Sequence, residues 1–204
     1  MTAPHLVLVT DPMCSWCWGM ADELHDAMAA LGDEASFDLM LGGINTHSTQ
    51  PIGAYGRRYL MRLWREVAET TGQRFGFALP DQYVHNSVRA CLAVEAVRVL
   101  TDAPPFEFLR RVQEQFFVYG RDVTRESLLL WVAADMGLDT ADVQLEMNKP
   151  ALLERVRFQF DNASTFGTNA MPSLLLEADG RLQLFAGGYV DAAMLTTLLE
   201  ARKS

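Results

Sequence analysis

Leu6-Val7-Leu8-Val9-Thr10-Asp11-Pro12-Met13-Cys14-Ser15-Trp16-Cys17-Trp18-Gly19 is the stretch that decides the fold. Its first half is a short apolar run with two valines, stopped by Asp-Pro, and predicts a buried strand ending in a turn. From Ser15 onward Met20, Leu24, Met28 and Leu31 recur at helical spacing, Asp22, Glu23 and Asp26 fall on the opposite side, and Gly32 supplies the stop. The pattern is strand, turn, amphipathic helix, with two cysteines two residues apart at the helix mouth. Ser36 to Leu41 then reads as a second strand closed by Gly42-Gly43.

Residues 52 to 166 carry helical periodicity and almost no strand signal. Five helices are expected: about Ile52 to Thr71, Asn86 to Leu100, Pro105 to Tyr119, Thr124 to Met136, and Pro150 to Phe166. A short turn of helix near Thr140 to Met147 precedes the last. Strand signals return after Pro172, where Ser173–Glu177 and Leu182–Phe185 flank an Asp179-Gly180 pair that predicts a hairpin. A terminal helix from about Asp191 to Arg202 follows. The fold class is therefore α/β. A four-stranded mixed sheet is assembled from residues 1–50 and 167–204, and residues 51–166 form an inserted all-helical domain.

The chain has 204 residues, 50% of them hydrophobic and 21% charged, which excludes disorder and coiled coil and buries a core without disulfides or structural metal. The formal charge of −9, with no Lys or Arg before Arg57, argues against nucleic acid as a partner. No apolar run reaches the length of a membrane helix, and residues 1–10 lack the positive region of a secretory signal. These features point to a cytoplasmic protein with no membrane partner.

The three cysteines, Cys14, Cys17 and Cys91, thus invite a chemical explanation. Unpaired N–H groups at a helix entrance stabilise thiolate over thiol, and in such settings a cysteine pKa falls from about 8.5 toward roughly 3.5–7.5. Cys14, outside the first turn, is expected exposed and nucleophilic; Cys17, carried inward, resolves the mixed disulfide. The acidic first fifty residues oppose this effect, leaving a moderate depression. Half of a zinc site is the rival reading, but only Cys91 and His85 could complete it, in an apolar helical setting. A structural disulfide is disfavoured in a reducing cytoplasm. Cys91 sits on an apolar helix face and is assigned no catalytic role. Trp16, between the cysteines, is expected exposed, Trp18 packed, and the arginine pairs 57–58 and 110–111 solvated.

Three segments together resemble the DsbA family of thiol-disulfide oxidoreductases, in the style of its FrnE-like cytosolic branch. They are Cys14-Ser15-Trp16-Cys17, the run from Glu114 through Thr124 to Leu138, and Phe166-Gly-Thr-Asn-Ala-Met-Pro-Ser. The resemblance implies a thioredoxin-like fold interrupted by helices. It implies a cis Pro172 facing the cysteines and a Met171 that offers its backbone to an extended substrate. Protein thiols and disulfides are the implied substrates, glutathione or a thioredoxin-type reductant the implied electron partner, and no cofactor or metal is called for. Where thioredoxin-like enzymes carry a buried acid six residues before the nucleophile, this chain has Leu8. Asp11 is the nearest candidate for proton transfer, although an Asp-Pro turn is its plainer role. The alternatives are a non-catalytic DsbA-like adaptor and a glutathione-dependent isomerase of the kappa-transferase group. Cys17 discriminates against the second, whose chemistry needs no resolving thiol.

Overall fold

The computed structural model describes residues 3–167 and 170–201; Thr168, Asn169 and the expected last residue of the terminal helix, Arg202, lie outside the described residues. Strand β1 (His5–Thr10) lies in the middle of a four-stranded sheet of order β2-β1-β3-β4, with β2 at Ser36–Leu41, β3 at Ser173–Ala178 and β4 at Arg181–Gly187. β1 pairs parallel with β2 and antiparallel with β3, and β3 pairs antiparallel with β4. Side chains of a strand alternate between its faces. Leu6 and Leu8 accordingly join Leu39, Leu41, Leu174 and Leu176 in the main core, whereas Val7, Val9 and Leu175 form a second cluster on the other face. The β3–β4 turn is Asp179-Gly180, both at positive φ (53° and 70°), the geometry that an Asp-Gly hairpin requires.

The helix expected from Ser15 to Leu31 is two helices, α1 (Ser15–Gly19) and α2 (Ala21–Leu31), broken at Met20, whose N–H turns back to the carbonyls of Trp16 and Trp18. Gly19, the last residue of α1, permits a close approach between helices. A Cβ there would meet Val67 Cγ1 at 2.6 Å, so glycine lets α1 press against α3 (Ala54–Thr71).

Among the described residues six helices lie between β2 and β3: α3, α4 (Val88–Thr101), α5 (Phe106–Phe117), α6 (Glu126–Asp135), α7 (Thr140–Met147) and α8 (Pro150–Ala163). The short turn expected near Thr140 is a full helix, capped by Asp139, whose carboxylate accepts the N–H groups of Ala141 and Asp142. α4 is buried all round from Ala90 to Val97, Glu95 included. Arg98 at 3.2 Å and Arg155 at 2.6 Å answer the Glu95 charge. Trp64, Phe75, Phe116 and Phe117 interlock edge-on or tilted with centroids 4.9–5.6 Å apart. This aromatic cluster belongs to the same continuous core as the sheet's Leu6 face. The terminal helix α9 (Ala192–Ala201) packs on α2, where Glu23 accepts the N–H of Ala192 at 2.8 Å. Arg57, expected to be solvated, instead donates to the carbonyls of Leu79 and Pro80 and fixes the loop after α3.

Candidate active site

The turn between β1 and α1 is built by Asp11. Its Oδ1 accepts the N–H of Met13 at 2.8 Å and its carbonyl accepts the N–H of Cys14 at 3.2 Å, which curls the chain so that Cys14 arrives at the α1 N-cap. The Cys14 sulfur then serves as the cap itself, accepting the N–H of Cys17 at 3.3 Å. Because α1 has five residues and a break follows, the stabilisation available at Cys14 comes from such local N–H groups rather than from a long aligned helix.

The Met171–Pro172 peptide bond is cis and lies against this cap, with the Cys14 thiol donating to the Met171 carbonyl at 3.4 Å. Gly42 makes room for the segment: a Cβ there would fall 2.1 Å from Met171 Sδ. Cys14 is consequently only 7% exposed against 5% for Cys17, so the expected contrast between an open first sulfur and a covered second one is not one of exposure. What separates them is what each borders. Cys14 lines a groove of about 430 Å³ with Met13, Trp16, Ile52, Tyr59, Leu63 and His85. Cys17 lines a different cavity, of about 210 Å³.

Burial, followed by its hydrogen bond with Cys14 and the Cys14 charge, pushes the Cys17 thiol well above the ordinary range; hydrogen bonding with the Thr10 hydroxyl and the Asp11 backbone works against this. Cys17 is thus a protonated sulfur beneath the cap. Thr10, buried at the end of β1, is a hydrogen-bond partner of Cys17. Sequence reasoning missed it, although a hydroxyl closing an otherwise apolar strand was a visible signal. It also missed Gln113, which donates to the Asp11 carbonyl at 3.3 Å. Gln113 lies four residues after Leu109 and three before Phe116, a polar residue on the apolar stripe of α5.

Asp11 itself is fully buried, and burial raises its carboxyl from 3.8 to about 6 against the pull of its hydrogen bonds. Its Oδ2 accepts the Ser87 hydroxyl at 2.6 Å and the Cys91 thiol at 3.5 Å. Ser87 in turn accepts the N–H of Ile44 at 2.7 Å. The carboxylate is therefore directed to α4 and the loop after β2. This fits a positioning role better than the proton transfer considered from sequence. Cys91, read as a small hydrophobe, is buried and in contact with this carboxylate; burial and the Asp11 charge push its thiol up.

Trp18 is buried, stacked on Phe117 with centroids 6.2 Å apart, and its indole N–H donates to the Arg74 carbonyl at 2.9 Å. Trp16, expected exposed, is half-buried and leans on Tyr189 at 6.3 Å. His85 borders the Cys14 groove within hydrogen-bond distance of the Tyr83 hydroxyl, 3.2 Å, and burial lowers it to about 4, so it is neutral at physiological pH.

The DSBA-like thioredoxin domain model matches residues 5–200. A Nitrosomonas europaea structure that carries the provisional name protein disulfide isomerase superposes with a TM-score of 0.88 at 28% identity, over 97% of this chain and 96% of its own. The cytosolic disulfide reductase DsbM from Pseudomonas aeruginosa superposes with a TM-score of 0.74 at 27% identity, over 97% and 99%, and has also been solved with glutathione. The ClpXP adapter protein SpxH of Halalkalibacterium halodurans is 22% identical over 83% of this chain, and the match spans 57% of that relative's length. The fold expected from sequence, a DsbA-like thioredoxin fold carrying extra helices, is the observed one.

Proposed function

Because this chain belongs to the DSBA-like thioredoxin domain family, we propose that it is a thiol-disulfide oxidoreductase in which Cys14 attacks and Cys17 resolves. One observation carries this reading. The Cys14 sulfur caps α1 beside the Met171 carbonyl and faces a groove, while the protonated Cys17 lies directly behind it. In this reading the Cys14 thiolate attacks one sulfur of a protein disulfide; that bond breaks, and the departing sulfur leaves as a thiolate. Cys17 then gives up its proton to the departing client sulfur and attacks Cys14; the second client sulfur leaves as a thiolate and takes a proton from water, which frees the client as a dithiol and leaves the Cys14–Cys17 disulfide. Met171 and Pro172 hold an extended client segment beside the cap, Trp16 forms one wall, and Asp11 sets the turn that aims Cys14.

Residues 1–50 and 167–204 are read as the thioredoxin-like part and 51–166 as the helical insertion that covers it. A cytoplasmic setting, with protein disulfides as substrates and glutathione or a thioredoxin-type protein as electron partner, agrees with the cytosolic reductase among the structural neighbours. The test is a redox titration of the dithiol against glutathione, joined to trapping with Cys17→Ala. Mixed disulfides on Cys14 support the reading, and their absence with a titration typical of two independent thiols overturns it. A potential near −270 mV would assign reductase work and one near −120 mV oxidase work.

The SpxH relatives favour a second reading, an adaptor that presents a client without turnover. Client binding and cellular function that survive Cys14→Ser would select it.

A further inference from the structure

Helix α3 runs against the charge of the chain that carries it. Between Ile52 and Arg65 lie four arginines, at positions 57, 58, 62 and 65, and no acid, in a protein of net charge −9. Arg57 is engaged: its guanidinium donates to the Leu79 and Pro80 carbonyls, with Asp81 at 3.9 Å. Arg58, Arg62 and Arg65 are exposed, and among the described residues no carboxylate pairs with any of them. Elsewhere Arg74, Arg98 and Arg111 each lie 3.0 Å or less from a carboxylate. The acids of α3, Glu66 and Glu69, come only after the last of its arginines.

The face that carries these charges borders the groove of Cys14. Tyr59, Leu60 and Leu63 line the groove, and Arg62 lies over the Tyr59 ring, its guanidinium carbon 5.8 Å from the centroid. Residues three and four apart are neighbours on a helix, so Tyr55, Arg58, Tyr59 and Arg62 form one surface. Tyr55 is 77% exposed and Tyr59 48%, which leaves two large rings open to solvent beside the arginines. Within the groove no acidic or basic side chain competes: the loop after β2 contributes Asn45, Ser48 and Gln50, and His85 is neutral.

We propose that this face of α3 docks an acidic stretch of the client polypeptide, next to the cysteine that Cys14 attacks. The proposal rests on exchange at Cys14 as set out above and gives that site its substrate class. Tyrosine and arginine are the side chains enriched where proteins meet. A guanidinium takes a carboxylate through two parallel hydrogen bonds, and the tyrosine rings accept the apolar stems of whatever residues lie between. A basic segment meets three unanswered like charges and is disfavoured. The net charge of the molecule pulls the other way, toward cations, but salt screens it beyond about 8 Å at physiological ionic strength. A segment already at the groove therefore feels the arginines more than the distant carboxylates.

The experiment uses the reduced full chain and three cyclic disulfide peptides that differ only in the residues flanking one cysteine, which are Glu, Gln or Lys. Acid quenching and chromatography follow the loss of peptide disulfide at an ionic strength of about 0.15 M. The Glu peptide should exchange at least about fivefold faster than the Lys peptide, and about 1 M salt should reduce that ratio below about twofold. Arg58→Gln/Arg62→Gln should lower the ratio at least about threefold, whereas Arg58→Lys/Arg62→Lys, which keeps the charge, should hold most of it. Arg157→Gln/Arg181→Gln removes two exposed charges from α8 and β4 and should keep the wild-type ratio. Equal rates for the three peptides in wild type, or an equal loss in the Arg157/Arg181 variant, overturn the docking face and leave exchange at Cys14 intact. Failure to reduce any of the peptides, with no mixed disulfide trapped on Cys14 by Cys17→Ala, overturns the exchange itself.

Discussion

Asp11→Asn isolates the cost of keeping a carboxylate inside this protein. The folded carboxyl titrates near 6 against an ordinary 3.8 because burial disfavours its charge. Between those values the native state holds a proton that the unfolded chain has lost, so stability falls as pH rises through that window. At 1.36 kcal/mol per pH unit the gap is worth about 3 kcal/mol by pH 7 and only about 0.5 kcal/mol at pH 4. Asparagine keeps the shape: its amide oxygen can accept the Met13 N–H, and its NH₂ faces Ser87. The Ser87 hydroxyl can turn to the Ile44 carbonyl, already 3.4 Å away. The variant should therefore gain about 3 kcal/mol on wild type at pH 7, less whatever the exchanged hydrogen bonds cost, and that advantage should shrink by about 2.5 kcal/mol at pH 4. Urea unfolding of both proteins at the two pH values measures it. A difference that is the same at pH 7 and pH 4 would refute the claim that a buried, ionised Asp11 sits under the active-site turn.

His85→Phe should show the opposite trend. Burial lowers His85 from 6.5 to about 4, so its contribution is present above pH 6.5 and is lost as pH falls, by about 3 kcal/mol at pH 4. The variant should gain about that much on wild type between pH 7 and pH 4 in the same urea experiment, and no relative gain would contradict a buried neutral imidazole. Trp18→Ala removes a buried ring from Phe117 and strands the Arg74 carbonyl, so unfolding should cost about 3–5 kcal/mol less than in wild type; a loss below about 1 kcal/mol by chemical denaturation would place Trp18 outside the core. Gly42→Ala drives a methyl into Met171 Sδ and should slow exchange with protein disulfides while leaving iodoacetamide labelling of denatured Cys14 unchanged. Wild-type turnover in that variant would separate Met171 from client handling.

Local sequence determined whatever depends on neighbours along the chain. The buried strand of Leu6–Thr10, the Asp179-Gly180 hairpin, the helical periods between β2 and β3 and the cysteines at a helix mouth are all short local patterns, and each is present. Period and turn chemistry are short-range, so they survive being read without coordinates. The family resemblance supplied the connection between distant segments that periodicity alone leaves open.

Only the tertiary structure decided the environment of the sulfurs. No spacing in the sequence joins Asp11 to Ser87 and Cys91 across more than seventy residues, or puts the Met171 carbonyl on Cys14 across more than one hundred and fifty. The close approach of α3 to Gly19, the contact of the Met171 carbonyl with Cys14 and the contact of Trp16 with Tyr189 all join distant parts of the chain. These are contacts between parts of the chain that meet only when the sheet closes. Desolvation acts in the same way: it is set by everything that surrounds a group, so the raised carboxyl of Asp11 and the lowered imidazole of His85 exist in the packed molecule and nowhere in the order of its residues.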